Sequence, residues 1–265
     1  MIPQAYIIEW SNNVPWNTNE QIEQDLVICR ALIEIFNDDF LAENLAFRGG
    51  TALHKLFLSP QPRYSEDIDL VQIKATPIGD ILDKLKVALS FIDGKINVSL
   101  GDLMTELKYR FQSEIPPVTQ IRLKIEINCR EHFTELGWQK VPFALNSEWF
   151  KGNCKITTYK IEELLGTKLR AFYQRRKGRD LYDMNKSLEQ LPDLNKEAIL
   201  QCYYQYMNFV VDQPPSKKMY LQNMEVKMQD DEFIGDIAGL IRPTEQYNQS
   251  AAYELVKKNL LDNLI

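Results

Sequence analysis

Apolar residues recur along this chain at a helical spacing, then in alternation, then at a helical spacing again. Behind the capping box Thr18-Asn19-Glu20-Gln21, the residues Ile22, Leu26, Ile33 and Phe36 carry one helical stripe, which ends near Asn37-Asp38-Asp39. Leu45 to Arg48 reads as a short strand leading into the turn Gly49-Gly50-Thr51. Leu53, Leu56 and Phe57 then form one face of a short helix. After a loop at Gln61-Pro62-Arg63-Tyr64, an acidic strand runs to about Ile73. On it Asp67 and Asp69 share one face, while Ile68 and Leu70 point the other way, toward a core. Thr76-Pro77 predicts an N-cap with proline at the first helical position, and Ile78, Ile81, Leu82, Leu85 and Leu89 continue that helix to Asp93-Gly94.

The period then shifts to two. Ile96, Val98 and Leu100 alternate, and a second run covers Tyr109 to Gln112. The cleanest strand is Ile121 to Asn128: Ile121, Leu123, Ile125 and Ile127 face a core, and Arg122, Lys124, Glu126 and Asn128 face a polar cleft or solvent. A last strand is expected from Cys154 to Tyr159. Helical patterns dominate thereafter. Ile161, Leu165, Leu169 and Phe172 form the apolar face of a helix that runs into Arg175-Arg176-Lys177-Gly178-Arg179, and further helices are expected around 195–211, 217–228 and 246–264. The fold class is therefore α/β (α+β): a mixed sheet with flanking helices over 1–155, followed by a helical C-terminal domain over 156–265. With no Gly/Ser-rich linker at the join, the two parts are expected to pack closely around a cleft.

Composition narrows the function classes. A chain of 265 residues with 45% hydrophobic and 26% charged residues has the make-up of an ordinary globular protein. A net charge of −6 argues against coating nucleic acid with the whole surface, leaving a local basic groove as the alternative. Cys29, Cys129, Cys154 and Cys202 are scattered without a CxxC pair, so free thiols in a reducing, cytoplasmic setting are expected. His54 and His132 neighbour neither a cysteine nor each other, which removes a structural zinc site. The opening MIPQAYIIEW lacks the basic and apolar regions of a signal peptide, and no run is long enough to suggest a membrane span.

The chemistry concentrates in FRGGTALHKLFLSPQPRYSEDIDL, residues 47–70. A Gly-Gly turn brings backbone close to a ligand, and the helix that follows offers free N–H groups to a phosphate. Asp67 and Asp69 repel by about 4 kcal/mol if held ~4 Å apart at an effective dielectric of ~20, so a base, solvent or a divalent cation must offset them. A solvated acidic face is the ordinary fate of an isolated D-x-D, and some glycosyltransferases use the same motif. A glycine turn about eighteen residues before S-x-D-x-D is much rarer. With it, the chain resembles the nucleotidyltransferase superfamily. More narrowly, FRGGTALHK…SEDIDL resembles the bacterial abortive-infection toxins of the AbiEii/AbiGii type, relatives of mycobacterial tRNA-modifying nucleotidyltransferase toxins.

That resemblance implies a division of labour. Gly49, Gly50, Thr51 and Ser65 would hold the triphosphate of an NTP. Asp67, Asp69 and a third carboxylate, matched by Glu126, would bind Mg²⁺ or Mn²⁺, with Lys124 beside them to contact phosphate or pair with Glu126. The family's basic helix and basic-Asp-x-x-Asp motif match Lys168 and Arg179-Asp180-Leu181-Tyr182-Asp183. Lys168 and Arg179 would neutralise phosphate charge, and Asp180 or Asp183 would act as a base or orient Lys168. Replacing Lys168 is expected to slow transfer and leave the fold intact. The implied acceptor is RNA, including the tRNA 3′ end, with the basic residues after 168 as phosphate contacts and a cognate antitoxin as partner. The active centre is expected in the cleft between the two halves of the chain. A small-molecule, antibiotic-type nucleotidyltransferase and a non-catalytic nucleotide- or protein-binding module stay open as alternatives. For His54, and for the cluster Tyr203, Tyr204 and Tyr206, packing is the simpler reading than catalysis or base stacking.

Overall fold

The alternating stretches assemble into one seven-stranded mixed sheet. In chain order its strands are Leu45–Arg48 (β1), Asp67–Gln72 (β2), Lys95–Leu100 (β3), Met104–Gln112 (β4), Gln120–Asn128 (β5), Trp138–Asn146 (β6) and Lys151–Tyr159 (β7). They lie side by side as β3-β4-β5-β2-β1-β7-β6. β2 runs parallel to β5 and antiparallel to β1, and β1 runs parallel to β7. The computed structural model describes residues 2–265. It divides into two units, Met1–Phe133 with Trp138–Tyr159, and Thr134–Gly137 with Lys160–Ile265.

In the sheet-bearing unit, the long helix Asn19–Asn37 (α2) starts where the capping box predicts, with the Thr18 hydroxyl accepting from the Gln21 N–H. Two short helices, Gln4–Trp10 (α1) and Asp39–Asn44 (α3), flank it, and neither has enough apolar periods to show in the sequence. Gly49–Leu56 (α4) follows β1 directly. The next helix, Gly79–Ala88 (α5), begins later than expected. Thr76 does not cap it, because the Gln72 side-chain amide donates to both the carbonyl (2.6 Å) and the hydroxyl (3.1 Å) of Thr76 and holds it in the preceding loop.

Two strands depart from the alternation. Ile96, Val98 and Leu100 alternate as a half-buried strand would, yet all six residues of β3 are exposed, since this strand ends the sheet and has only β4 beside it. At the other end, β6 went unpredicted because Pro142 interrupts its pattern. Proline is tolerated on an edge strand, where no second neighbour needs its N–H. Its hairpin partner β7 accordingly starts at Lys151 rather than Cys154.

The second unit is helical: Ile161–Gln174 (α6), Gly178–Gln190 (α7), Lys196–Asn208 (α8), Lys217–Lys227 (α9), Asp231–Gly235 (α10) and Gln249–Asn259 (α11). α6 and α8 pack closely at Gly166, where an added Cβ would come within 2.5 Å of the Cys202 Cβ. Glu163, fully buried on α6, gathers the segment 134–137 into this unit. It accepts from the Thr134 hydroxyl (2.7 Å), the Glu135 and Leu136 backbone N–H groups (2.8 and 3.0 Å) and the Tyr206 hydroxyl (2.7 Å).

Candidate active site

β1 enters the glycine turn at Gly49, whose φ of +77° lies in the left-handed region. A Cβ there would sit 2.0 Å from Asp69 Oδ2, so the turn is pressed directly against the second carboxylate of the D-x-D strand. The rest of α4 is fixed at both ends. At its start the Thr51 hydroxyl donates to the Asp67 carbonyl and lies 2.7 Å from Ser65 Oγ, with Thr51 1% and Ser65 8% exposed. These two hydroxyls lock helix to strand. At its far end Lys55 Nζ lies 2.5 Å from Asp25 Oδ1 on α2, and Asp25 also accepts from Trp10 Nε1 at 3.1 Å. Burial works against the Lys55 charge, but Asp25 outweighs it and raises the ammonium above the ordinary lysine value. Breaking such a buried pair costs about 3–5 kcal/mol.

The register of the strands sets out the polar face in rows. Arg48, Asp69, Glu126 and Glu106 form one row across β1, β2, β5 and β4. Asp67, Lys124 and Lys108 form the next, and Arg122 with Arg110 the one after. Lys124 Nζ lies 3.1 Å from Asp67 and 3.3 Å from Glu126. Burial pushes the Asp67 carboxyl up, and Lys124 only partly offsets it. For Lys124, burial is outweighed by Asp67 and Glu126, and its ammonium is raised. Arg48 pairs with Glu131 at 2.6 Å, and the loop carrying Glu131 is tied down by Asn128 Oδ1, which accepts from its N–H.

Among the described residues no three acidic, histidine or cysteine side chains converge on one metal position. Mg²⁺ asks for less, since one or two carboxylates together with substrate phosphates suffice. Asp67 and Asp69, both oxygen donors on one strand face, fit that requirement in chemistry. Lys124 engages Asp67 and Glu126 alike, at 3.1 and 3.3 Å.

The second set of expected site residues lies in the helical unit and forms a cluster of its own. Lys168 Nζ sits 3.0 Å from Asp180 Oδ1 and 2.7 Å from Asp183 Oδ2; Lys168 is 7% exposed and both aspartates 0%. Arg175 forks onto Asp180 at 2.7 and 2.8 Å. Burial would raise the Asp180 carboxyl, but Lys168 and Arg175 outweigh it and hold it below the usual range. A carboxylate so placed is a poor proton acceptor. The expectation that Lys168 can be removed without harm to the fold does not survive this geometry, because its loss would strand two buried charges. Arg179 contacts Asp236 at 3.6 Å, and its N–H donates to the same carboxylate at 3.2 Å. Arg176 pairs with Asp230, Lys177 with Glu232 and Asp236, and Arg170 donates to the Tyr206 carbonyl. The basic run is therefore balanced by acids of its own unit.

His54 is buried on α4, and His132 Nδ1 lies 2.8 Å from the Gln72 carbonyl. Tyr203 and Tyr206 are wholly buried, and the Tyr204 hydroxyl accepts from the Ile265 N–H, so this cluster serves packing. The Asp25–Lys55 pair escaped sequence reading, since nothing in the pattern links residues thirty positions apart on different helices. Arg110 escaped it too, although the register of a β4–β5 hairpin would have set it opposite Arg122.

A mixed sheet on which a glycine turn abuts a D-x-D strand is the architecture of a nucleotidyltransferase. The match to a family model over residues 30–254 makes the assignment specific: the chain belongs to the AbiEii nucleotidyl transferase toxin family of type IV toxin–antitoxin systems. In fold it is similar to MenT4, a nucleotidyltransferase toxin from Mycobacterium tuberculosis H37Rv, with a TM-score of 0.68 at 16% identity over 100% of this chain and 91% of that one. It is also similar to JHP933 from Helicobacter pylori, with a TM-score of 0.54 at 18% identity over 90% and 89% of the two chains. Among curated proteins none matches in sequence. No helix among the described residues is long and apolar enough to cross a membrane.

Proposed function

We propose that this toxin transfers a nucleoside monophosphate from an NTP to the 3′ end of an RNA, with tRNA as the leading acceptor, and depends on Mg²⁺ or Mn²⁺. The observation that carries this reading is the contact of the Gly49 turn with Asp69, which sets a phosphate-binding backbone beside a pair of carboxylates on one strand face. Asp67 and Asp69 would hold the cation, which would neutralise charge on the phosphates and favour the ionised form of the attacking hydroxyl. The backbone of Gly49 and Gly50 at the start of α4 orients the triphosphate. Thr51 and Ser65 act as positioning residues through the lock between helix and strand. Lys124 balances Asp67 and Glu126 before substrate arrives. The acceptor hydroxyl oxygen bonds to the α-phosphorus, the bond to the β-phosphate breaks, pyrophosphate leaves, and the hydroxyl proton goes to water. Lys168, Asp180 and Asp183 act as the ionic core that holds α6 and α7 together, and Arg179 anchors the start of α7. The family supports an antitoxin partner, and an abortive-infection role is part of the same proposal.

The test is incubation with labelled NTPs, Mg²⁺ and either total cellular RNA or aminoglycosides. Label should reach RNA with the wild type and fall at least about 10³-fold in Asp67→Asn plus Asp69→Asn. Equal labelling by that variant would dislodge the site, and label on the aminoglycoside alone would replace the acceptor. Expression of the wild type should arrest growth, and expression of the same variant should not.

A further inference from the structure

On the flank of the acidic pair away from the glycine turn lies a polar recess of ≈ 500 Å³, whose walls include Glu20, Gln24, Glu66, Asp67, Arg110 and Arg122. Sheet order fixes this arrangement, with β5 and β4 on one side of β2 and β1 with its turn on the other. The recess has a built floor. Gln24, 8% exposed, donates its side-chain amide to the carbonyls of Glu66 (2.8 Å) and Arg122 (3.1 Å), tying α2 to the leading ends of β2 and β5. Arg110 and Arg122 are directly opposed across β4 and β5. Like charges so placed repel, and among the described residues neither guanidinium has an ion-pair partner. Although Glu20, Glu66 and Asp67 line the same recess, neither arginine is committed to one of them, which leaves both guanidiniums able to take an anion.

The same recess presents carboxylates to its ligand. Glu66 and Asp67 accept hydrogen bonds from hydroxyls, whereas the guanidinium forks match phosphate. Arg122 precedes Lys124, the register partner of Asp67, by two residues, which is about 6.6 Å along the strand and within the reach of a single nucleotide. We propose that this recess receives the acceptor: the terminal nucleotide of a single-stranded RNA 3′ end, with its ribose hydroxyls toward Asp67 and Glu66 and its phosphate on Arg110 and Arg122. This assignment rests on the transfer reading above and adds to it the acceptor's seat. Phosphoryl transfer needs attacking and leaving oxygens on opposite sides of the phosphorus. A triphosphate on the glycine turn and an acceptor on the β5 side meet that demand.

Binding and transfer are measured separately. A fluorescein-labelled single-stranded RNA dodecamer with a free 3′ hydroxyl is titrated by anisotropy, without NTP, into the wild type, Arg110→Ala plus Arg122→Ala, Arg110→Lys plus Arg122→Lys, and Asp67→Asn plus Asp69→Asn. A non-hydrolysable Mg–NTP analogue is titrated into the same four proteins, each checked for native circular dichroism. The alanine variant should bind RNA about tenfold more weakly, with the salt slope reduced by about 1.4, and should bind the NTP analogue within about twofold of wild type. The lysine variant should keep the salt slope and lose part of the affinity. Unchanged RNA affinity in the alanine variant overturns the proposal. Loss of affinity for the NTP analogue instead would assign the recess to the donor's phosphates, which also overturns it. Should the wild type label no RNA, the transfer reading fails while the anisotropy result still decides the recess.

Discussion

At the scale of single residues, position 49 is the most constrained. Its backbone lies where only glycine is unstrained, and its missing Cβ is the space into which Asp69 fits. Gly49→Ala should cost about 1–3 kcal/mol in a urea titration from the backbone alone, and should abolish transfer by displacing Asp69. A stable, active alanine variant would refute this account of the turn. Glu23 supplies a second test. Burial pushes its carboxyl up to about 7, although its Oε2 accepts the Glu114 N–H at 3.0 Å. The folded state therefore holds a proton that the unfolded chain releases from about pH 4.5 upward, and stability falls as pH rises toward 7. Glu23→Gln should be more stable than wild type at pH 8 and gain nothing at pH 5; a gain that is equal at both would exclude Glu23 as the cause. Asp67 and Asp69 were legible because a period of two and a glycine turn suffice to place them. Glu23 and Asp25 were not, since a carboxylate on a helical stripe looks the same in sequence whether it meets solvent, a lysine or a backbone N–H.

At the scale of elements, α6 and α7 are joined by a buried ionic cluster. Lys168→Met should cost about 3–5 kcal/mol, read as a lower urea midpoint, because Asp180 and Asp183 would lose their shared cation. The Asp180 carboxyl is held below its unfolded value, so its stabilisation is complete above about pH 4 and is lost as pH falls through the folded value. The gap in stability between wild type and Asp180→Asn should accordingly be wide at pH 7 and close below about pH 4. A gap independent of pH would count against the ionic account. Elements with a full apolar period, such as α2, β5 and α6, were legible end to end. Those whose neighbours decide their fate were not: β6 hides behind Pro142, β3 is exposed by its place at the edge, and α5 starts late because Gln72 claims Thr76.

At the scale of the whole molecule, a net charge of −6 limits how RNA can be held. The run from Lys168 to Arg179 looked like a cationic surface in sequence, yet its own unit supplies Asp180, Asp230, Glu232 and Asp236 to balance it. Linear proximity of basic residues carries no information about acids that arrive from fifty positions away. If only Arg110 and Arg122 meet phosphate, the logarithm of RNA affinity should fall with the logarithm of salt at a slope of about −1.4. A slope steeper than about −4 would reveal a much larger contact surface.

The crowding of Gly49 against Asp69 also bears on inheritance. A toxin imposes a cost on the cell that carries it, and any first- or second-base change in a glycine codon inserts a side chain or a stop. At this codon each change that inserts a side chain should disarm the protein while leaving most of its surface in place. Among cells that survive forced expression, full-length alleles altered at codon 49 should be over-represented relative to those altered at Gly79, where an added Cβ meets nothing within 4 Å.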